Sequence, residues 1–130
     1  MPRPSAPKIS SSEWEVMNVV WDRSPLTAAE VFEGLPADHG WAQKTVNTFL
    51  ARLVGKGALK ASKPGKALIY EPRVSRNQCI RAEGETFLQR VFQGATGPLV
   101  LHFCEHADLS AEEIQELENL LKSKKRKGRK

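Results

Sequence analysis

Residues 41–66 read WAQKTVNTFLARLVGKGALKASKPGK, and this stretch decides the fold. On a helical wheel Val46, Phe49, Leu50, Leu53 and Val54 share one stripe, the i, i+3, i+4, i+7 spacing of a buried helix face. Opposite lie Lys44, Thr48, Ala51 and Gly55, flanked by Thr45 and Arg52 on one side and Asn47 on the other. That face is small, hydroxylated, amidic and cationic. It holds no acid and no large apolar side chain, so another surface can approach it closely. Gly40 to Lys66 contains six basic residues (Lys44, Arg52, Lys56, Lys60, Lys63, Lys66) and no Asp or Glu. A helix of this kind followed by a basic hairpin suits a nucleic-acid groove; an ordinary solvated helix face is the competing reading.

Upstream, Ser10-x-x-Glu13 is a capping box in which each side chain satisfies the other residue's backbone N–H. Trp14, Met17, Val20 and Trp21 follow at helical spacing, and Ser24-Pro25 stops the helix because proline excludes its predecessor from the α region. A second box, Thr27-x-x-Glu30, opens a short helix that offers Val31, Phe32 and Leu35 to a core and closes at Gly34 and Pro36. The third helix is predicted over Ala42–Lys56, ending at Gly57. Three short helices with a basic, amphipathic third form a helix-turn-helix. The tryptophans, each beside an apolar stripe, read as core or helix-docking residues rather than base-stacking ones.

Downstream the period changes. ALKAS and ALIYEPRV flank Lys63-Pro64-Gly65-Lys66, a turn signal between β-tolerant runs. The fold class predicted is therefore mostly α: a winged helix-turn-helix of three helices plus a two-stranded β wing. Beyond it, Ser75-x-x-Gln78 opens a long helix to about Phe92, with Ile80, Phe87, Leu88, Val91 and Phe92 on one stripe. Gly94 and Gly97 break it, Pro98 suits a first helical turn, and LVLHFCEHA reads as a short apolar helix. A last box, Ser110-x-x-Glu113, starts a helix with Ile114, Leu117, Leu120 and Leu121 on one side and glutamates on the other. These three helices are too small to close a core alone. They are expected to do so on a second chain, through Phe87, Leu88, Val91, Leu99, Phe103, Ile114, Leu117, Leu120 and Leu121, which makes the protein a homodimer.

Charge divides the 130 residues in the same way. The net +5 owes everything to residues 122–130, KSKKRKGRK, with seven basic residues. Residues 1–74 carry a net +3 and residues 75–121 a net −5. The organisation expected is a disordered N-terminus (1–8), a DNA-binding winged helix (9–74), a helical dimerisation subdomain (75–121) and a basic disordered tail (122–130). Two isolated cysteines, Cys79 and Cys104, give no disulfide framework and suit a reducing cytosol. No signal peptide and no run of roughly 20 apolar residues is present, so a cytoplasmic protein without membrane insertion is expected.

Taken in order, EWEVMNVVW, TAAEV, KTVNTFLARLVGKGAL and LVLHFCEHADLSAEEIQELENLL resemble the penicillinase repressors (the BlaI/MecI type, related to the CopY copper repressors). The resemblance runs from about Ile9 to Leu121. It implies a homodimeric winged-helix repressor of bacterial operons, in the setting of β-lactam resistance. It also implies release when a membrane sensor metallopeptidase triggers cleavage in the dimerisation region, at the bond matching His102–Phe103. Three departures stand out. Ala42 and Gln43 follow Trp41 where similar proteins have serine and proline, so a cap worth ~1 kcal/mol is absent. Asn47 stands where family members often have a longer basic residue on the recognition helix. His102 replaces the usual asparagine before the scissile bond. The basic tail is outside the resemblance.

The sites follow from chemistry. Thr45, Asn47 and Thr48 are the candidates for base edges, since asparagine can bond bidentately to adenine and a threonine methyl can pack on the thymine methyl. Lys44, Arg52, Lys63 and Lys66 are the candidates for phosphate, which sets affinity but not sequence. His102 and His106 stand at i and i+4, but Cys104 between them points away from their shared face. Partly buried histidines and an inert buried thiol are expected, with no metal and no cofactor. The copper-repressor variant needs cysteine pairs near the C-terminus, and there are none here. No paired nucleophile and base, phosphate-cradling glycine loop or HExxH occurs, so no enzymatic activity is expected. The function predicted is a sequence-specific repressor on double-stranded operator DNA; the alternative is a non-specific architectural DNA-binding protein.

Overall fold

Ser10 and Glu13 form the reciprocal capping box that opens α1, Ser11–Arg23. Thr27 and Glu30 do the same for α2, Ala28–Gly34. Helix α3, Gln43–Gly55, starts at Ala42 with no side-chain cap. Its other end is well closed. Gly57 takes φ +83°, its N–H bonds the Val54 carbonyl and the Ala58 N–H bonds the Leu53 carbonyl, the paired bonds of a Schellman cap. The computed structural model describes residues 6–128, so the disorder expected of residues 1–5 and 129–130 lies outside the described residues.

The chain divides into two compact units, one running through Thr86 and the other from Phe87. The division falls later than the expected Val74–Ser75 boundary. The first turns of α4, Arg76–Phe92, belong with the first unit because Cys79 is buried in its core. That docking is reinforced from α1. The Trp21 indole N–H donates to the Val74 carbonyl at 2.9 Å, and the Arg76 guanidinium lies over the Trp21 ring and pairs with Asp22 at 2.8 Å.

In the first unit, Val16, Met17 and Val20 from α1, Val31 from α2 and Val46, Leu50 and Leu53 from α3 are fully buried together with Leu59. Each such side chain contributes roughly 1.5–3 kcal/mol of transfer free energy. Phe49, Val54 and the three tryptophans pack half-buried against this cluster, as the helical stripes predict. Residues 6–8 depart from the expected disorder. Ala6 packs on the core and the Lys8 carbonyl accepts from Lys56 at 2.8 Å.

The wing differs in one respect from the two-stranded expectation. β2 (Leu59–Ser62) and β3 (Ile69–Pro72) pair antiparallel, Leu59 opposite Pro72 and Ser62 opposite Ile69. A third strand, β1 (Leu26–Thr27), adds to the other edge of β3, with Leu26 opposite Tyr70. Two residues cannot display alternation, so only the free edge of β3 reveals them as a strand.

The second unit holds the end of α4, then α5 (Thr96–His106) and α6 (Ala111–Gly128). The Ser75–Gln78 and Ser110–Glu113 boxes that open α4 and α6 are both formed. The phenyl rings of Phe87 and Phe92 lie 6.0 Å apart, and the His102 ring is 6.3 Å from Phe92. Helix α6 continues through residues 122–128, where the sequence predicts a disordered tail. Lysine and arginine are good helix formers, and cations at a helix C-terminus are favoured by its dipole. No helix among the described residues is long and apolar enough to cross a membrane.

Candidate nucleic-acid interface

Burying Val46, Leu50 and Leu53 turns the opposite side of α3 outward. Lys44, Asn47, Thr48, Ala51, Arg52 and Gly55 are all exposed, whereas Thr45 is half-buried at the edge of the face. The Thr48 hydroxyl donates to the Lys44 carbonyl at 3.1 Å, which satisfies its proton within the helix and leaves its methyl and lone pairs available. At the wing, the β2–β3 connection spans residues 63–68, longer than the four-residue turn read from sequence, and Lys63 and Lys66 are exposed on it. Neither these lysines nor Lys44 and Arg52 enter an ion pair among the described residues.

Lys56 is different. Its ammonium donates to the Glu13 carboxylate and to the Lys8 carbonyl, so it serves the packing of α1 rather than the cationic face. Burial pushes the Glu13 carboxyl up, but the hydrogen bond from Lys56, the bonds from Ser10 and the Lys56 charge outweigh it and hold the group below its ordinary value.

The uncapped start of α3 is held from two directions. An aromatic chain runs Phe32, His39, Trp41, Phe49, with ring centroids 5.0, 5.5 and 5.0 Å apart. His39 Nδ1 also accepts from the Trp41 backbone N–H at 2.8 Å. Gln43, at the first helical position, donates through Nε2 to the Ala28 carbonyl at 3.1 Å and to Asn47 Oδ1 at 3.0 Å. Neither His39 nor Gln43 was singled out from sequence as a functional residue. For Gln43 the signal was available, since an amide pair at i and i+4 is a known helix contact.

The second unit has a different character. No side chain among residues 87–128 is buried. Phe87, Leu88, Leu99 and Leu117 are half-buried, while Val91, Phe103, Ile114, Leu120 and Leu121 are exposed by 45–54%. Ile80, expected on the same apolar stripe as Phe87, is likewise exposed in the first unit, because α4 turns Cys79 to the core instead. His102 and His106, expected partly buried, are exposed, with ring centroids 4.7 Å apart. Cys104 is exposed and Cys79 is the buried thiol, its pKa raised by burial. No group of three or more His, Cys, Asp or Glu converges as metal ligands among the described residues.

Comparison with known proteins agrees with this geometry. The penicillinase repressor family matches residues 9–123. The penicillinase repressor of Bacillus licheniformis is 39% identical over 119 residues, 92% of this chain and 93% of that protein. The methicillin resistance regulatory protein MecI of Staphylococcus aureus strain N315 is 36% identical over 117 residues, 90% of this chain and 95% of that one. Among solved structures, the monomeric form of Bacillus licheniformis BlaI in complex with the blaP half-operator superposes with a TM-score of 0.51 at 38% identity, covering 57% of this chain and 90% of that chain. The DNA-binding domain of BlaI alone gives 0.51 at 37%, over 58% and 93% of the two chains. Fold, exposed recognition face and a match over nearly the whole length together place this chain in the penicillinase repressor family.

Proposed function

We propose that this protein is a transcriptional repressor that reads double-stranded operator DNA by sequence and acts as a homodimer in the cytoplasm. The carrying observation is the exposed, acid-free face of α3. In this reading α3 enters the major groove, Thr45, Asn47 and Thr48 meet base edges, and Lys44, Arg52, Lys63 and Lys66 meet phosphates. Membership of a repressor family sets the protein among regulators rather than enzymes. The complex of a relative with its half-operator supports the same partner for this chain.

Dimerisation is assigned to the second unit. Its apolar side chains, Val91, Phe103, Ile114, Leu120 and Leu121 among them, are half or more exposed or close to it in the single chain. Exposed apolar side chains in this number call for a partner, and a second copy also supplies the second half-site contact. Release is assigned to scission of His102–Phe103 downstream of a membrane sensor metallopeptidase. The bond lies inside α5, so the helix must open locally before a protease can take it as an extended substrate. Cutting there severs α6 from the DNA-binding unit.

The architectural alternative has one observation in its favour, the cationic end of α6 (Lys122, Lys124, Lys125, Arg126 and Lys127), which suits phosphate of any sequence. Selection from a pool of randomised duplexes separates the two. A repressor recovers a two-fold symmetric consensus and keeps a wide affinity ratio over random DNA as salt rises; an architectural binder recovers none. Mass spectrometry of the protein from cells exposed to a β-lactam tests release: a fragment beginning at Phe103 supports it, and an intact chain in fully induced cells refutes it.

A further inference from the structure

The hydrogen bonds around Gln43 carry more information than their lengths. The Ala28 carbonyl has no proton and can only accept, so the Gln43 atom facing it at 3.1 Å must be the NH2 group. The second hydrogen of that NH2 goes to Asn47 at 3.0 Å, so the Asn47 atom it meets must be Oδ1. Both amide orientations, ordinarily ambiguous, are thus set by one backbone oxygen of α2. Asn47 is exposed, and both of its Nδ2 hydrogens are free beside an Oδ1 that already accepts one bond.

We propose that Gln43 is a positioning residue for base reading, presenting Asn47 to the major groove as a hydrogen-bond donor. The inference rests on the assignment of Asn47 to a base edge. A donor is best met by bases whose edge offers acceptors alone, guanine through N7 and O6 or thymine through O4, because adenine sets its N7 acceptor beside the N6 donor. Bidentate recognition of adenine asks Oδ1 to accept from N6 while it also accepts from Gln43, so its one remaining lone pair must meet the base in the amide plane that Gln43 sets, whereas donation from Nδ2 carries no such constraint. The contact therefore discriminates keto bases, guanine and thymine, from amino bases, adenine and cytosine. This departs from the adenine pairing that asparagine alone would suggest.

The test is selection of bound sequences from a pool of randomised duplexes, using the full chain and its Asn47→Ala, Gln43→Ala and Gln43→Glu variants. Asn47→Ala identifies the dependent base pair by levelling the preference there. The unaltered protein is expected to favour a keto base at that pair by roughly fivefold or more. Gln43→Ala frees the Asn47 amide to turn, so adenine becomes acceptable and the preference narrows to within about twofold. Gln43→Glu presents only acceptors. Asn47 then turns Nδ2 inward to the carboxylate and Oδ1 outward, and the preference reverses to an amino base. A loss of packing alone would lower affinity without reversing a base preference. An amino base favoured by the unaltered protein, or a keto preference that survives both Gln43 variants, overturns the inference while Asn47 remains a base reader. If Asn47→Ala changes no position, the base-reading role fails and this inference with it.

Discussion

The carboxylate of Glu13 accepts from the ammonium of Lys56, joining the first turn of α1 to the residue that ends α3. Glu13 is 2% exposed and also completes the α1 capping box through the Ser10 backbone N–H. One buried acid thus sets the start of one helix and the end of another, and the second is the helix assigned to DNA.

The acid stability of the protein should depend on this group. Its folded pKa lies below the ordinary 4.5, so its contribution is complete above that value and is lost as pH falls through the folded value. Glu13→Gln keeps the cap geometry and removes the charge. With Lys56 partly in solvent, the variant should lose about 1–2 kcal/mol at neutral pH. It should also show a flatter decline in acid. Urea unfolding across pH measures both, and equal slopes for the two proteins would refute the assignment.

Two glycines should resist alanine for different reasons. A Cβ on Gly34 would lie 2.6 Å from Val19 Cγ1, so α1 and α2 must part, at about 1–3 kcal/mol. Gly57 has nothing within 4 Å of that position, and its cost is the left-handed φ alone, about 1–2 kcal/mol. Adding Val19→Ala should relieve the Gly34→Ala clash and leave the Gly57→Ala penalty unchanged. Denaturant midpoints of the single and double variants decide this.

Backbone and base contacts should separate by salt. Lys63→Ala or Lys66→Ala should weaken binding to all duplexes alike and make the salt slope shallower by roughly 0.9. Asn47→Ala should leave the slope near its original value and cost roughly 1–3 kcal/mol on the selected site only. A Lys66→Ala protein with altered sequence preference would reverse the assignments.

Charges placed on the exposed face of α6 should dissolve the dimer. Ile114→Glu with Leu121→Glu should sediment as a monomer and retain the thermal transition of the first unit. It should also bind a two-half-site operator roughly a hundredfold more weakly. A dimer that survives both changes places the interface elsewhere.

Much of the fold was legible because its determinants are local. All four capping boxes formed where S/T-x-x-E/Q stood, and the 3.6-residue stripe of α3 went to the core with its cationic face outward. Strand β1 was not legible, since its pairing with Tyr70 and Ile69 closes a gap of more than forty residues. Residues 122–128 are helical in spite of their charge, because the helix propensity of lysine and arginine and the pull of the helix dipole outweigh the repulsion.

By itself the sequence determined the winged-helix class, the family resemblance and the cationic, acid-free face of α3, because periodicity, caps and charge act between near neighbours along the chain. Only tertiary structure decided which polar and cationic side chains are left exposed and unpaired among the described residues. Lys56 is withdrawn from the cationic face by Glu13, 43 residues away, and Cys79 rather than Ile80 anchors α4 to the first unit. Asn47 is oriented by Gln43, which is itself oriented by a carbonyl of α2. A hydrogen bond needs its partner within about 3 Å and correctly aimed, and which distant residues come that close is settled by packing the helices together.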